Sequence, residues 1–233
     1  MLIRERFMRK LGELQEAILK MGTLVDEELQ LALVALDELD IVKAQEVHLL
    51  DQEVNKTRFE IENACFTLIV TQQPAASDLR KVISAMNIII DLERMGDQAK
   101  GIAKVIPHIL KYPAQPQPIE LKQMGTMVSV MLRQAMQAYA YENVELARSV
   151  TQQDDEVDNL YAQVFGQVMG FMADTKKPRK IEAAYEVLRA ARELERFGDL
   201  ATNIAERTIY LITGSIEEIN IDLDDAAEEP RGG

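Results

Sequence analysis

A single cysteine, Cys65, stands among the 233 residues. That excludes an internal disulfide and a cysteine-based zinc site. Histidine is almost as scarce. Neither His48 nor His108 has a glutamate three residues earlier, because Gln45 and Val105 stand there. The Glu-x-x-His pattern of ferritin-like di-iron bundles is therefore missing. No apolar run approaches the roughly 20 residues that span a bilayer. Met1 to Lys10 carries no apolar stretch of the kind that directs secretion. The expectation is a soluble, cytoplasmic protein. Positive charge is also short, with 26 Lys and Arg against 39 Asp and Glu, a net −13. Nucleic acid is not expected as a partner, since phosphate backbones call for clustered bases. There is no glycine loop that would cradle phosphate and no histidine placed for catalysis. No catalytic or cofactor-binding residue is assigned, and an enzyme is not expected.

What is present is helical patterning. Phe7, Leu11, Leu14, Ile18, Met21, Val25, Leu29, Ala32 and Leu36 recur every three or four residues. That is one apolar stripe along a long amphipathic helix. Asp37-Glu-Leu-Asp40 interrupts it. A second helix is expected from about Ile41 to Val70, and a break at Gln72–Ser77 with Ser77 or Asp78 as N-cap. A third helix runs to about Tyr112. Four of the seven prolines lie between Pro107 and Pro118, and Tyr112-Pro-Ala-Gln-Pro-Gln-Pro118 cannot continue a helix. Strand alternation is absent.

After the prolines the pattern restarts. Met21-Gly-Thr-Leu-Val25 returns as Met124-Gly-Thr-Met-Val128, and Asp51-Gln-Glu-Val-Asn55 as Asp154-Asp-Glu-Val-Asp158, both displaced by 103 positions. Leu92-Glu-Arg-Met-Gly-Asp97 returns as Leu194-Glu-Arg-Phe-Gly-Asp199, displaced by 102. The fold class expected is all-α, two tandem three-helix bundles made by internal duplication. The first bundle would span residues 1–112, a proline-rich linker 113–118 and the second bundle 119–213. Residues 214–233 hold seven acids and one base, and read as an acidic mobile tail.

The positions that the two copies share are acidic. Each unit has an Asp-x-x-x-Asn/Asp element on its second helix and a Glu-x-x-x-Asp element on its third. A spacing of four puts both side chains on one helix face. Positions 51 and 97 are equidistant from Pro74, and so are 55 and 93. In the second unit, 154 with 199 and 158 with 195 are centred between Lys176 and Lys177. An antiparallel hairpin folded at each turn brings the elements to one height. Asp51, Asn55, Glu93 and Asp97 then form one candidate metal site, and Asp154, Asp158, Glu195 and Asp199 the other. Oxygen-rich sets of this kind suit a divalent or iron-group ion, and iron, zinc, manganese and magnesium all fit. The alternative is a solvated or Arg-paired set of surface carboxylates. Gly96 and Gly198, each inside a third helix, point to close backbone approach or to room for a bound group.

Glu93-Arg-Met-Gly-Asp-Gln-Ala99 and Glu195-Arg-Phe-Gly-Asp-Leu-Ala-Thr-Asn-Ile-Ala205 resemble the signature repeats of the PhoU family. Pro74-Ala-Ala-Ser-Asp-Leu-Arg80 is similar to its first hairpin tip, and Met21-Gly-Thr to its first helix. The resemblance covers residues 5 to 212. It implies two three-helix bundles, assembly as a homodimer, and metal clusters on the Glu/Asp-x-x-x-Asp motifs. It also implies a negative regulator of phosphate uptake and of the phosphate-starvation response. Such a regulator is an adaptor between the phosphate ABC transporter ATPase and a PhoR-type sensor histidine kinase, and meets the membrane only through these partners. A metal-storage or homeostasis bundle is the rival reading. Asn55 departs from the usual second acid, and Gly101 stands where the second unit has Asn203.

Overall fold

The structure is a computed structural model, and the residues it describes are 2–112 and 117–214. Among the described residues seven helices follow one another: α1 Leu2–Glu38, α2 Ile41–Gln72, α3 Ser77–Lys111, α4 Ile119–Tyr141, α5 Val144–Thr151, α6 Asp154–Asp174 and α7 Pro178–Thr213. No strand occurs among the described residues. The fold is all-α, with α1–α3 as one bundle and α4–α7 as its duplicate. The expected acidic tail lies outside the described residues.

The stripe on α1 is the reason for its length. Every member except the partly covered Leu11 is buried against α2 and α3. Asp40 stops the chain from running straight on. Its carboxylate accepts from the amides of Val42 (2.8 Å) and Lys43 (3.2 Å), capping α2. Leu39, just before it, takes a left-handed φ of 52° to turn the corner. At the next turn the expected cap is corrected. Ala76 occupies the N-cap position with no side-chain bond, so Ser77 and Asp78 already lie in the first turn of α3. There the Asp78 carboxylate is taken by Arg4 instead.

The second unit departs from its twin at one place. Where α2 runs unbroken, its counterpart is split into α5 and α6 at Gln152-Gln153. Gln153 holds the break, donating to Gln134 Oε1 (2.6 Å) and to the Ser149 carbonyl (3.0 Å). Asp154, Asp155 and Glu156 then form the first turn of α6. Acids are favoured there, at the positive end of the helix dipole.

The bundles lie side by side, and the faces between them are related by the repeat. A Cβ placed on Gly125 of α4 would come within 2.5 Å of Leu33 Cδ2 on α1, and one on Gly22 of α1 within 2.9 Å of Met136 Cε on α4. Gly22 corresponds to Gly125 and Leu33 to Met136, so one contact is made twice about a pseudo-twofold axis. α3 and α7 form the most extensive helix pair. Between them the buried Asp91 accepts from Arg207 Nε at 2.6 Å. Burial pushes the Asp91 carboxyl up, against the pull of Arg207. Gly101 faces Glu193 of α7, whose Cδ would lie 2.8 Å from an added Cβ. The apolar core continues without interruption through both units.

Candidate functional site

In each unit the acids that the hairpin register groups stand on two neighbouring helices. In the first, Asp51 is buried on α2, Glu93 is half-buried on α3, and Asp97 lies at the rim one turn further along α3. Glu93 is raised from its ordinary range, first by burial and then by the charges of Asp97 and Asp51. In the second, Asp154 is buried at the start of α6, Glu195 is half-buried on α7, and Asp158 and Asp199 face outward. Asp199 is pushed up to about 6, first by desolvation among its neighbours and then by Glu195 and Asp158. Glu195 is raised by burial and by Asp158 and Asp154, against Arg192 and Arg196. The acids of each unit therefore sense one another. Among the described residues, however, no three His, Cys, Asp or Glu side chains stand close enough to grip one ion as they are placed.

Asn55 is the member turned aside. Its amide donates to the Asp51 backbone carbonyl of its own helix at 2.9 Å. The two glycines also have different roles. A Cβ on Gly96 would meet Glu28 Oε2 at 2.9 Å, whereas one on Gly198 would make ordinary contacts of 3.5 Å or more. Gly96 is thus required by a carboxylate from α1 that sequence reasoning passed over.

Glu28 is 0% exposed, and neither of its carboxylate oxygens has a hydrogen-bond partner. Burial, reinforced by Asp51, pushes its carboxyl up to about 9. The sequence did carry a signal. Met21, Val25, Glu28 and Ala32 follow helical spacing, so Glu28 is an acid standing in an apolar register. Lys100 was missed as well. Its ammonium donates to Asp51 Oδ2 and to Asp97 Oδ1, both at 2.8 Å. It lies three residues after Asp97, on the same helix face. In the second unit the corresponding position is Thr202, buried and with its hydroxyl unpartnered. Glu195 Oε1 pairs with Arg192, and its buried Oε2 has no partner. Both sets present carboxylate oxygens.

The fold and its sites together define a class: duplicated three-helix-bundle proteins that present one carboxylate set per repeat. The family model described as "PhoU domain" matches this chain twice, at residues 18–106 and 121–208. The chain belongs to the PhoU family. It is 36% identical over 214 residues to a phosphate-specific transport system accessory protein PhoU homolog of Pseudomonas putida, spanning 91% of this chain and 83% of that one. A homolog of the same description from Clostridium acetobutylicum is 34% identical over 218 residues, spanning 93% and 99%. Two crystal structures are also similar. PhoU from Pseudomonas aeruginosa superimposes with a TM-score of 0.85 at 35% identity, covering 90% of this chain and all of that one. The phosphate transport system regulatory protein PhoU from Streptococcus pneumoniae gives 0.85 at 34%, covering 91% and all.

Proposed function

We propose that this chain is a negative regulator of phosphate uptake and of the phosphate-starvation response. It acts without catalysis, as an adaptor between the phosphate ABC transporter ATPase and a PhoR-type sensor histidine kinase, in the cytoplasm and as a homodimer. Support comes from family membership over both repeats. The described residues hold no helix long and apolar enough to cross a membrane. The observation that carries the site reading is the pair of matched carboxylate sets containing buried oxygens without hydrogen-bond partners, such as Asp51 Oδ1 and Glu195 Oε2. Buried polar atoms are nearly always satisfied, and exceptions call for an explanation. A divalent or iron-group ion is the explanation proposed. In the second unit Asp154, Asp158, Glu195 and Asp199 would hold it. The metal would supply positive charge that locks α6 against α7, and with it the surface offered to partners.

The regulatory reading is tested by deleting the gene in its host and following a phosphate-starvation promoter. Derepression in high phosphate, restored by the wild-type chain, is the expected result. An unchanged promoter in a host with no second copy of the family overturns it. The metal reading is tested by metal analysis of the purified chain beside Glu195→Ala/Asp199→Ala, which is expected to lose the bound ion.

A further inference from the structure

A long groove of about 730 Å³ opens between the first turns of α1 and the last turns of α2. Its floor is apolar, made by Leu14 of α1 with Ile61 and Leu68 of α2. The small side chains of Ala17 and Thr67 keep it open. The second unit lacks a helix to form the matching wall, since α4 begins at Ile119, the counterpart of Glu16.

Bases edge the groove. Arg6, Lys10 and Lys20 line it from α1, against Glu13 and Glu60. Lys10 and Lys20 are taken by neighbours on their own helix, Glu13 at 2.7 Å and Glu16 at 3.1 Å. Arg6 forms no ion pair among the described residues. Residues 4–10 carry Arg4, Arg6, Arg9 and Lys10 against Glu5 alone, in a chain whose net charge is −13.

The acidic segment after Gly214 lies outside the described residues, and the chain enters it at this same end of the molecule. A Cβ on Gly214 would collide with the guanidinium of Arg80, which covers the Tyr210 ring. Leu211, one turn earlier, shares a small cavity with Met8, Leu11 and Leu14 of α1. Leu14 borders both cavities, so only the width of α1, about 10–12 Å, separates the end of α7 from the groove. From Arg6 to Lys20 the groove follows α1 for about 21 Å. Residues 215–225, fully extended, span about 36 Å, enough to cross α1 and run the length of the groove. Their composition matches it: Ile216, Ile219, Ile221 and Leu223 are interspersed with Glu217, Glu218, Asp222 and Asp224. The other basic stretch, Lys176–Lys180, lies at the far end of α7, about 50 Å away.

We propose that this groove is the seat of the chain's own acidic segment, residues 215–225, with its apolar side chains on the floor and its carboxylates along the bases of α1. Residues two apart in an extended chain share a face, so Ile219, Ile221 and Leu223 turn to the floor together while Asp222 and Asp224 turn to the rim. Tethering gives the segment an effective concentration of about millimolar, so weak contacts suffice. Salt loosens the seat, because part of the attraction is between exposed charges. A partner that uses this face of the first bundle has to displace the segment.

The test is a nitroxide label on the full chain, read through the amide signals of residues 215–225. Thr67→Cys puts the label in the groove. Gly170→Cys puts it at the matching position of the second unit, close to Lys176–Lys180. Native Cys65 is buried and stays unlabelled. The groove label should erase the signals, and the control label should leave them. Arg6→Glu/Lys10→Glu should restore them, and so should NaCl at about 1 M, where the screening length is about 3 Å. Ile219→Ser/Ile221→Ser/Leu223→Ser should do the same, and these positions lie beyond α7, so the helices are untouched. Signals that survive the groove label overturn the proposal and leave the groove to a partner protein. Equal loss with both labels overturns it too, as a segment without a seat, and loss with the label at 170 alone assigns the segment to the basic tip instead. A final sample mixes labelled chains with unlabelled ¹⁵N chains. Full signal loss there means that a second copy's segment fills the groove, which overturns a seat within one chain.

Discussion

Leu33 of α1 is seated on Gly125 of α4, in the space that a side chain at 125 would occupy. The repeat makes the same contact in reverse, with Met136 on Gly22. The two Met-Gly-Thr motifs are therefore where α1 and α4 meet, beside the larger α3–α7 contact.

A methyl or larger group at 125 is the first expected disruption. Gly125→Val should destabilise the chain by about 1–3 kcal/mol, the usual range for overpacking. The matching change at Gly22 should be milder, because Met136 is flexible and can move aside. Leu33→Ala should recover part of the loss in the Gly125 variant. Urea unfolding of the single and double mutants measures the coupling, and strict additivity would show that the two residues do not meet.

The ion pair between α3 and α7 should respond unequally to removal of its partners. Arg207→Met strands the Asp91 carboxylate in the interior and should cost about 2–4 kcal/mol. Asp91→Asn leaves a partly exposed guanidinium that water can reach, so its loss should be smaller. Denaturant midpoints for the two variants give the comparison. An equal loss for both would mean that the carboxylate is not the buried partner.

Cys65 is fully buried, and burial pushes its thiol up to about 11. The thiolate is the reactive form. At pH 8 about one molecule in a thousand would carry it, since three pH units separate the two values. Alkylation of the native chain by iodoacetamide should therefore be slow, and should speed up about tenfold per pH unit towards 11. In urea the rate should match that of an ordinary thiol. A native rate equal to the unfolded one would contradict the packing of α2.

The start of α2 depends on one carboxylate. Asp40→Ala removes the acceptor for the Val42 and Lys43 amides and should lower stability by about 1 kcal/mol. Asp40→Asn or Ser should lose much less. A thermal melt of the three variants orders them, and an alanine variant that melts with wild type would rule out the cap.

Much of this was legible in the sequence because the repeat compares the chain with itself. The apolar stripe gave α1 nearly residue by residue. The equidistance of 51 and 97 from Pro74 places those two acids at one height, where Lys100 bridges them. What the repeat could not reveal was anything present in one copy alone. Glu28 is matched by Met131 and Lys100 by Thr202, so a search for shared positions passed over both. The break at Gln152-Gln153 was hidden for another reason. Glutamine is a good helix former, and the interruption is set by bonds from Gln153 to Gln134 and Ser149, one of them on another helix. The cap at Ser77 failed by a single residue, since Ala76 takes the turning conformation and leaves Asp78 free for Arg4.

The reciprocal seating of Leu33 and Met136 also bears on ancestry. Two identical single-repeat chains, each with the glycine and the apolar knob on its own first helix, would fit together by the same pair of contacts. A piece of this protein ending at residue 112 would bare Gly22, Leu33 and the α3 face that α7 now covers. Its most complementary available surface would be another copy of itself. The present chain is in that sense a dimer whose halves have been joined, and once joined they were free to become unlike.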